Sequence, residues 1–510
     1  MVAELLAIPT GKDALVTRGG VYHPTLNVWV ADNFEEIVAK ATPEARRALD
    51  PLAELAKAAG ALHARQLRDA KVGAIWPTEW LHPNAGAEVV AFCRAYPATA
   101  SPYACVDLPY RHAIIYSYRY RAELARVSAA IGMLLAVGGE VVEPLIPYLT
   151  KLQAAFRFDL ERSSDIAAMG EADIGWLEIA DDARWLLICE FTETYADPLK
   201  HHIGNDPLVN AWAKEVADAN GLGPWKTFFE FRLLELMDTL VTTREIEAIR
   251  TEIRTLYQAV SDTQPAARAR TEFRRALINA GHGANPPKSA KNYPNQNWIR
   301  RDVGYRNVIF ANQAQEKVRS EMVPALQAAF DTVWSRDAQL KERMLRANAL
   351  FVVAHEESHP WVVFSEVSWL EELKCNVLGM HAVHHAATIR DDVAELVLHV
   401  VAGALNAHRQ QADLMARGEM QLQDYYIGDV IFMTHLADGG YFVYDHVGMA
   451  VDVRPELAAP LVAEFVERIL AIKRGETGAG ELYAAFYRNA EVFHRFRGWA
   501  ATGEMPSSGQ

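Results

Sequence analysis

The chain is poor in cysteine, with only Cys93, Cys105, Cys189 and Cys375 in 510 residues. They stand far apart and form no CxxC pair, so a disulfide-stapled scaffold is excluded. The thiols read as reduced and mostly buried, which points to a cytoplasmic protein. Cations are also in deficit: 51 Lys and Arg face 65 Asp and Glu, for a net charge of −14. That balance argues against gripping phosphate backbones, so no nucleic-acid partner is expected. No hydrophobic run is long enough to span a bilayer. The most apolar stretches, Ile131–Val137 and Leu396–Leu405, are too short. The opening MVAELLAIPTGKD has no basic region followed by an apolar one, so neither a signal peptide nor a membrane partner is expected. Internal repeats and low-complexity blocks are lacking too.

What is present is an ordinary globular balance, 50% hydrophobic and 23% charged. At about 150 residues per domain the length suggests roughly three domain-sized units. Such a chain has room for a large core and a deep cleft.

The coarse pattern is α+β and mostly α. Residues 1–40 mix Gly, Pro and aromatics and read as short strands or irregular chain. Residues 43–70 carry apolar residues at helical spacing. Ile114–Arg121 alternates, with Tyr116, Tyr118 and Tyr120 on one face, a strand signal. Arg184–Tyr195 reads as a second strand. Helices are predicted over 207–218, 226–262, 312–350 and 368–416, with a long Gly/Pro/Asn-rich loop at 277–305. Strands at Gly440–Val453 and a helix at 456–474 follow.

The sharpest local signal is His355-Glu356-Glu357-Ser358-His359, an HExxH sequence. It follows RANALFVVA, a good buried helix. On a helix, residues i and i+4 share a face, so both imidazoles reach one metal ion. Glu356 sits beside them, placed to take a proton from an activated water. Two histidines and a glutamate on a buried helix would be costly without a partner. A catalytic zinc needs a third ligand, and the next helix, SWLEELKCN, offers one. Ser368 and Glu371 form a capping-box pattern, which gives Glu371 a structural task. Glu372 is then free to point inward as the third ligand. Asn376, one turn on, is placed to orient a ligand histidine. Cys375 points off that face and reads as a small core residue. His381, His384 and His385 continue the helix with no carboxylate at matching spacing, and read as partly buried or solvated. His399 and His408 read the same way.

These residues resemble the dipeptidyl peptidase III family of zinc metallopeptidases. HEESH resembles the pentapeptide form of the family's zinc motif, of which many members have a six-residue form, HExxGH. EELKCN is similar to the EExxA[ED] segment, whose second Glu, here Glu372, is the third zinc ligand. Glu193-Thr194-Tyr195-Ala196-Asp197 resembles ETYxD, and Asn292-Tyr293-Pro294-Asn295 resembles NxPN. The likeness runs from about 185 to 377, and more weakly to about 453. It is strongest to the pentapeptide branch, which includes the peptidase-like part of plant Nudix-fused proteins.

The resemblance implies a two-lobed fold with a helical zinc lobe and a lobe containing a small β-barrel core, and a closing cleft between them. The expected division is 1–205 as the strand-containing lobe and 206–455 as the helical zinc lobe. Residues 456–510 would return to the first lobe and end in a disordered tail. One Zn²⁺ per chain is implied, held by His355, His359 and Glu372, with Glu356 as base. Glu193, Asn292 and Asn295 would bind substrate, and Tyr195 would assist at the scissile carbonyl. Two departures stand out. Tyr425 lies near the position of the family's transition-state histidine, with His408, His435 and His446 as nearby substitutes, and Asn376 replaces an acidic residue.

The expected function is a zinc metallohydrolase that releases dipeptides from the N-terminus of short peptides. One alternative is a zinc hydrolase, lyase or isomerase acting on a small non-peptide molecule. Another is a non-catalytic binding protein with a structural zinc. The sequence leaves the oligomeric state open.

Overall fold

The computed structural model describes residues 15–16, 18–71, 104–107, 112–115, 121–139, 141–156, 165–193, 226–237, 240–261, 269–284, 289–294, 299, 302–330, 339–364, 367–416, 424–445 and 450–486. In chain order the elements begin with β1 (Leu15–Val16), β2 (Gly20–His23), β3 (Val28–Ala31), α1 (Phe34–Lys40) and α2 (Pro43–Lys71). Next come β4 (Ala104–Asp107), β5 (His112–Ile115), α3 (Arg121–Val137), α4 (Ile146–Phe156) and α5 (Asp165–Leu177). The middle holds β6 (Trp185–Glu193), β7 (Lys226–Leu236), α6 (Thr243–Tyr257), β8 (Ala269–Gly281), β9 (Ala290–Tyr293) and β10 (Tyr305–Phe310). Then follow α7 (Ala311–Lys317), α8 (Val323–Ala329), α9 (Leu340–Ser358), α10 (Ser368–His385), α11 (Val393–Ala416) and α12 (Asp424–Asp438). The last are β11 (Phe442–Asp445), β12 (Ala450–Val453), α13 (Ala458–Lys473) and α14 (Ala479–Phe486).

The chain forms two compact units. The first comprises Met1–Met237, Ala266–Lys288 and Asn292–Gln313; the second comprises Asp238–Pro265, Ser289–Lys291 and Ala314–Gln510. This division differs from the sequence-based one. The described part of 456–510 belongs to the second unit, because α13 packs on α10 and α11. The tail beyond 486 lies outside the described residues.

The first unit is organised on an eight-stranded sheet with β8 at its centre. β8 pairs antiparallel with β3 and β7 and parallel with β10, and β6 pairs with the far edge of β7. Among the described residues the small β-barrel implied by the resemblance is not formed. Among the described residues the sheet stays open, because β6, β1 and β9 end it without pairing to one another. Cross-strand pairs such as Cys189 with Phe231 and Leu187 with Leu233 bury one face. Helix α2 lies over β7 and β8 with Leu52, Leu55, Ala56, Ala59 and Leu62 inward.

Two sequence expectations fail in this unit. Residues 226–236, predicted helical, form β7. Its sequence, KTFFEFRLLEL, buries Glu230 and Arg232 among apolar residues, so no clean alternation marks it as a strand. The predicted loop at 277–305 instead contains the end of β8 and all of β9. β8 is written with charges, ARTEFRRALINAG, which hides its strand character. One of these charges is internal. Arg274 is fully buried and donates to Glu272 and to the carbonyls of Ala183 and Asp181. Arg306 on β10 donates to the carbonyls of Leu177 and Ile179. Tyr116, Tyr118, Tyr120 and the predicted helix at 207–218 lie outside the described residues.

The second unit is a helical assembly around α9 and α10. The predicted helix at 312–350 is broken into α7, a π-turn, α8 and α9, and that at 368–416 is split into α10 and α11. α9 is buried at nearly every position from Ala347 to Ser358, as RANALFVVA requires. α6 begins with a capping box. The Thr242 hydroxyl accepts from Glu245 N, and the Glu245 carboxylate accepts from Thr242 N. Its Arg250 then grips Glu357 of α9 with two parallel bonds of 3.0 and 2.7 Å. Glu357 is almost wholly buried, so this pair anchors the end of α9.

α9 and α10 approach closely at one glycine. A Cβ on Gly379 would stand 2.8 Å from the Ala354 carbonyl carbon and 2.9 Å from its oxygen. Both are backbone atoms of the residue before His355 and cannot swing away. Gly379→Ala is therefore expected to destabilise the protein by about 1–3 kcal/mol in thermal or denaturant unfolding. An unchanged midpoint would mean that the helix pair has slack.

Candidate metal centre

His355 and His359 close α9, and Glu372 opens the first turns of α10. Residues 360–367 connect the two helices, with a turn described up to 364. In that turn Val362 is buried with φ at +51°, a rare conformation for a β-branched residue. Strain of this kind costs on the order of 1–3 kcal/mol and persists only where surroundings enforce it. The chief enforcer is Lys374, which is fully buried. Its Nζ donates to the carbonyls of Ser358, His359 and Trp361 at 3.2, 3.4 and 2.9 Å, and to Glu371 Oε1 at 2.7 Å. An ammonium thus caps the carbonyl end of α9 and the turn after it.

The structure sets His355 beside each of the other two expected ligands. His355 Nε2 and His359 Nε2 are 3.1 Å apart, and Glu372 Oε2 is 3.4 Å from His355 Nε2. Donors bound at about 2.0–2.1 Å in a tetrahedral array stand about 3.3–3.4 Å apart, so each of these two pairs is close to the spacing of neighbours around one ion. The far nitrogens are held as well. His355 Nδ1–H donates to Asn376 Oδ1 at 2.7 Å, and His359 Nδ1–H reaches Glu371 Oε1 at 3.4 Å. These bonds favour the tautomers that leave both Nε2 lone pairs facing the common point. Glu356 is buried on the same helix.

Charge follows from this packing. Burial works to lower the His355 imidazole pKa, but Glu372, then Glu356 and Asn376, outweigh it and hold it above the usual range. Burial works to raise the Glu371 carboxyl. Lys374, then His359, outweigh that and hold it at about 2. Glu371 is therefore an anion that orients His359.

Sequence reasoning missed these two residues. Glu371 does not close a capping box with Ser368: Val367 is the N-cap, with no side-chain cap bond. The Glu371 carboxylate instead accepts from the Phe364 amide at 2.9 Å while serving His359. The signal for Lys374 was its i,i+3 spacing from Glu371 on a helix whose inner face is apolar.

Cys375 is the rival third ligand. Its Sγ and the imidazole nitrogens of His355 and His359 lie within 4.8 Å of one another. Yet Sγ sits 3.2 Å from His359 Nδ1, on the opposite side of that ring from the nitrogen facing His355. One imidazole does not offer both sides to one ion. Burial also pushes the Cys375 thiol pKa well up, away from the thiolate that binds metal. The Glu372 set fits zinc better.

The other expected site residues are placed as follows. Glu193 ends β6, where a register irregularity separates it from Thr192; its side chain lies outside the described residues. Tyr195 and Asn295 lie outside them altogether. Asn292 is buried on β9 in the first unit and donates to Asn307 Oδ1 at 2.7 Å. Tyr425 is in the first turn of α12, with its side chain outside the described residues. Among the substitutes for the missing histidine, His435 is a core residue bonded to the Leu461 carbonyl at 2.9 Å. His408 is bonded to the Tyr426 hydroxyl at 2.9 Å. His446 lies outside the described residues.

This geometry separates the two third-ligand assignments. Cys375→Ser should keep about one zinc per chain, and Glu372→Ala should lose it, as read by elemental analysis of purified protein. The reverse pattern would move the ligand to Cys375.

No family model matches the sequence, and no curated protein matches it. Solved structures do. The structure is similar to that of DPP III from Caldithrix abyssi, with a TM-score of 0.64 and 15% identity over 90% of this chain and 93% of that one. It is also similar to dipeptidyl-peptidase III from Corallococcus sp. strain EGB, with a TM-score of 0.63 and 17% identity over 88% and 89%. At such identities the likeness is one of fold, and the chain has a mostly α, two-unit, dipeptidyl peptidase III-like fold.

Proposed function

We propose that the protein is a zinc-dependent metallohydrolase that releases dipeptides from the N-terminus of short peptides. The observation that carries this reading is the approach of His359 Nε2 and Glu372 Oε2 to His355 Nε2, with both far nitrogens hydrogen-bonded, in a dipeptidyl peptidase III-like fold. His355, His359 and Glu372 would hold the ion. Bound there, zinc supplies a Lewis acid and a source of hydroxide near neutral pH.

The remaining chemistry belongs to the chain. Glu356 takes the proton of the attacking water and returns it to the leaving amine. A buried carboxylate suits both roles, because it exchanges its proton with the substrate rather than with bulk water. Retention of Glu356 argues against a purely structural metal, which needs no base. Asn376 and Glu371 keep the two imidazoles aimed. By resemblance, Glu193 holds the substrate ammonium, Asn292 and Asn295 hold its backbone, and Tyr195 with Tyr425 donates to the developing oxyanion.

The second reading keeps the zinc and changes the substrate to a small non-peptide molecule. Tyr425, where the family carries a histidine, favours it: a phenol donates a hydrogen bond but carries no imidazolium charge.

Glu356→Gln should keep zinc but lose nearly all turnover on dipeptidyl-arylamides; unchanged rates would remove Glu356 as the base. Glu193→Ala should slow hydrolysis of free-amine peptides by at least tenfold more than that of N-blocked ones, since it deletes the partner of an ammonium. Equal losses on both would turn the assignment toward the non-peptide reading.

A further inference from the structure

Helix α10 carries a second histidine pair, about two to three turns beyond Cys375 at its C-terminal end. His381 Nε2 and His385 Nε2 stand 3.2 Å apart, against 3.1 Å in the HEESH pair. The ring centroids are 4.6 Å apart at 77°, against 4.8 Å at 84°. Two i,i+4 pairs on two helices thus share one donor geometry.

The far nitrogen of His381 is also held. Nδ1 lies 2.7 Å from the Tyr257 hydroxyl of α6, and that hydroxyl lies 3.5 Å from the Leu378 carbonyl. The carbonyl is an acceptor only; with the hydroxyl donating to it, the hydroxyl accepts from Nδ1–H. Nε2 then keeps its lone pair toward His385, which is how an outer partner sets a ligand histidine. Burial, and then the neighbouring His385 and His384, lower the His381 pKa to about 4, so the ring is neutral near pH 7. His385 is exposed, and the pair opens to solvent. The ring of His384 is centred 5.5 Å from that of His385, and its buried Nδ1 has no hydrogen-bond partner.

We propose that His381 and His385 form a second transition-metal site, open to water or an exogenous ligand, with His384 as a further donor within a side-chain rotation. Imidazole pairs suit Zn²⁺, Ni²⁺ and Cu²⁺ rather than Mg²⁺ or Ca²⁺. With two protein ligands in place of three, the site is weaker than the HEESH centre. It does not depend on the proposed hydrolase activity.

The test is calorimetric titration of Ni²⁺ into the full-length, tag-free chain, as wild type, His355→Ala, His385→Ala and Tyr257→Phe, each checked for folding by circular dichroism. The His355→Ala protein should still bind one equivalent. His385→Ala should remove the weaker equivalent from an otherwise wild-type chain, and Tyr257→Phe should weaken it about tenfold or more. No binding by folded His355→Ala, or an unchanged isotherm for His385→Ala, would overturn the site. Because His385 is exposed, its loss leaves the fold intact and keeps the test decisive. If the HEESH centre itself binds nothing, wild type and His355→Ala behave alike, while the His385→Ala difference still reads the second site.

Discussion

Lys374 places a buried positive charge where the carbonyls of Ser358, His359 and Trp361 converge. The carbonyls come from α9 and the turn after it, and the ammonium comes from α10. Each partner would be expensive alone: a buried unpaired ammonium costs several kcal/mol, and so does a set of buried carbonyls without donors. The contact therefore binds the last turn of α9 to the first turns of α10. Glu372 lies two residues before Lys374, so its position opposite His355 is set by the same contact. The fourth bond of Lys374, to Glu371, extends that control to His359. One side chain thus governs the spacing of the donors and the orientation of one of them.

A second anchor acts from α6. Arg250 closes on Glu357 between the two histidines in sequence, and Arg346 of α9 reaches Glu245 at the start of α6. Glu357 must leave the metal face for this, and it does so because helix geometry turns it about 100° from Glu356. The acidic residues of HEESH therefore divide. One carboxylate is spent on architecture, and the other stays beside the histidines. Gly379 completes the arrangement, since only a missing side chain lets α10 lie against the Ala354 backbone.

How much of this was legible depends on the range of the interaction. The HEESH spacing is local, so the His355–His359 pair and the Asn376 contact could be read from helix periodicity, whereas Glu372 was reached through a capping box that does not form. Glu371 and Lys374 needed the turn at 360–364, whose carbonyls and amide they bind. Arg250 stands 107 residues from Glu357, and nothing local marks it as a partner. The fold shows the same split. Helices α2 and α13 and strand β6 carry clear patterns. β7 and β8 do not, because Glu230, Arg232 and Arg274 are buried in them. Some of their polar groups are met by tertiary partners, such as the Tyr293 hydroxyl, which donates to Glu230 at 2.7 Å. A binary pattern of apolar inside and polar outside misreads such strands.

The two histidine pairs show what spacing alone decides. His355 with His359 and His381 with His385 have nearly the same separation and ring angle. The i,i+4 helix relation lets each pair present two nitrogens to one ion, but it does not set how tightly the ion is held or what is done with it. The difference lies in what faces each pair. The first meets Glu372, Asn376 and the Glu371 carboxylate in a buried setting with Glu356 beside it. The second meets the neutral hydroxyl of Tyr257 and then solvent. In the proposed zinc site, a carboxylate opposite the imidazoles would supply a third ligand and a compensating charge, which together favour tight, lasting metal binding. A phenol supplies only orientation, which favours loose and exchangeable binding. The chemistry of each pair is thus written on the neighbouring helix, α10 for the first and α6 for the second, rather than in the pair itself.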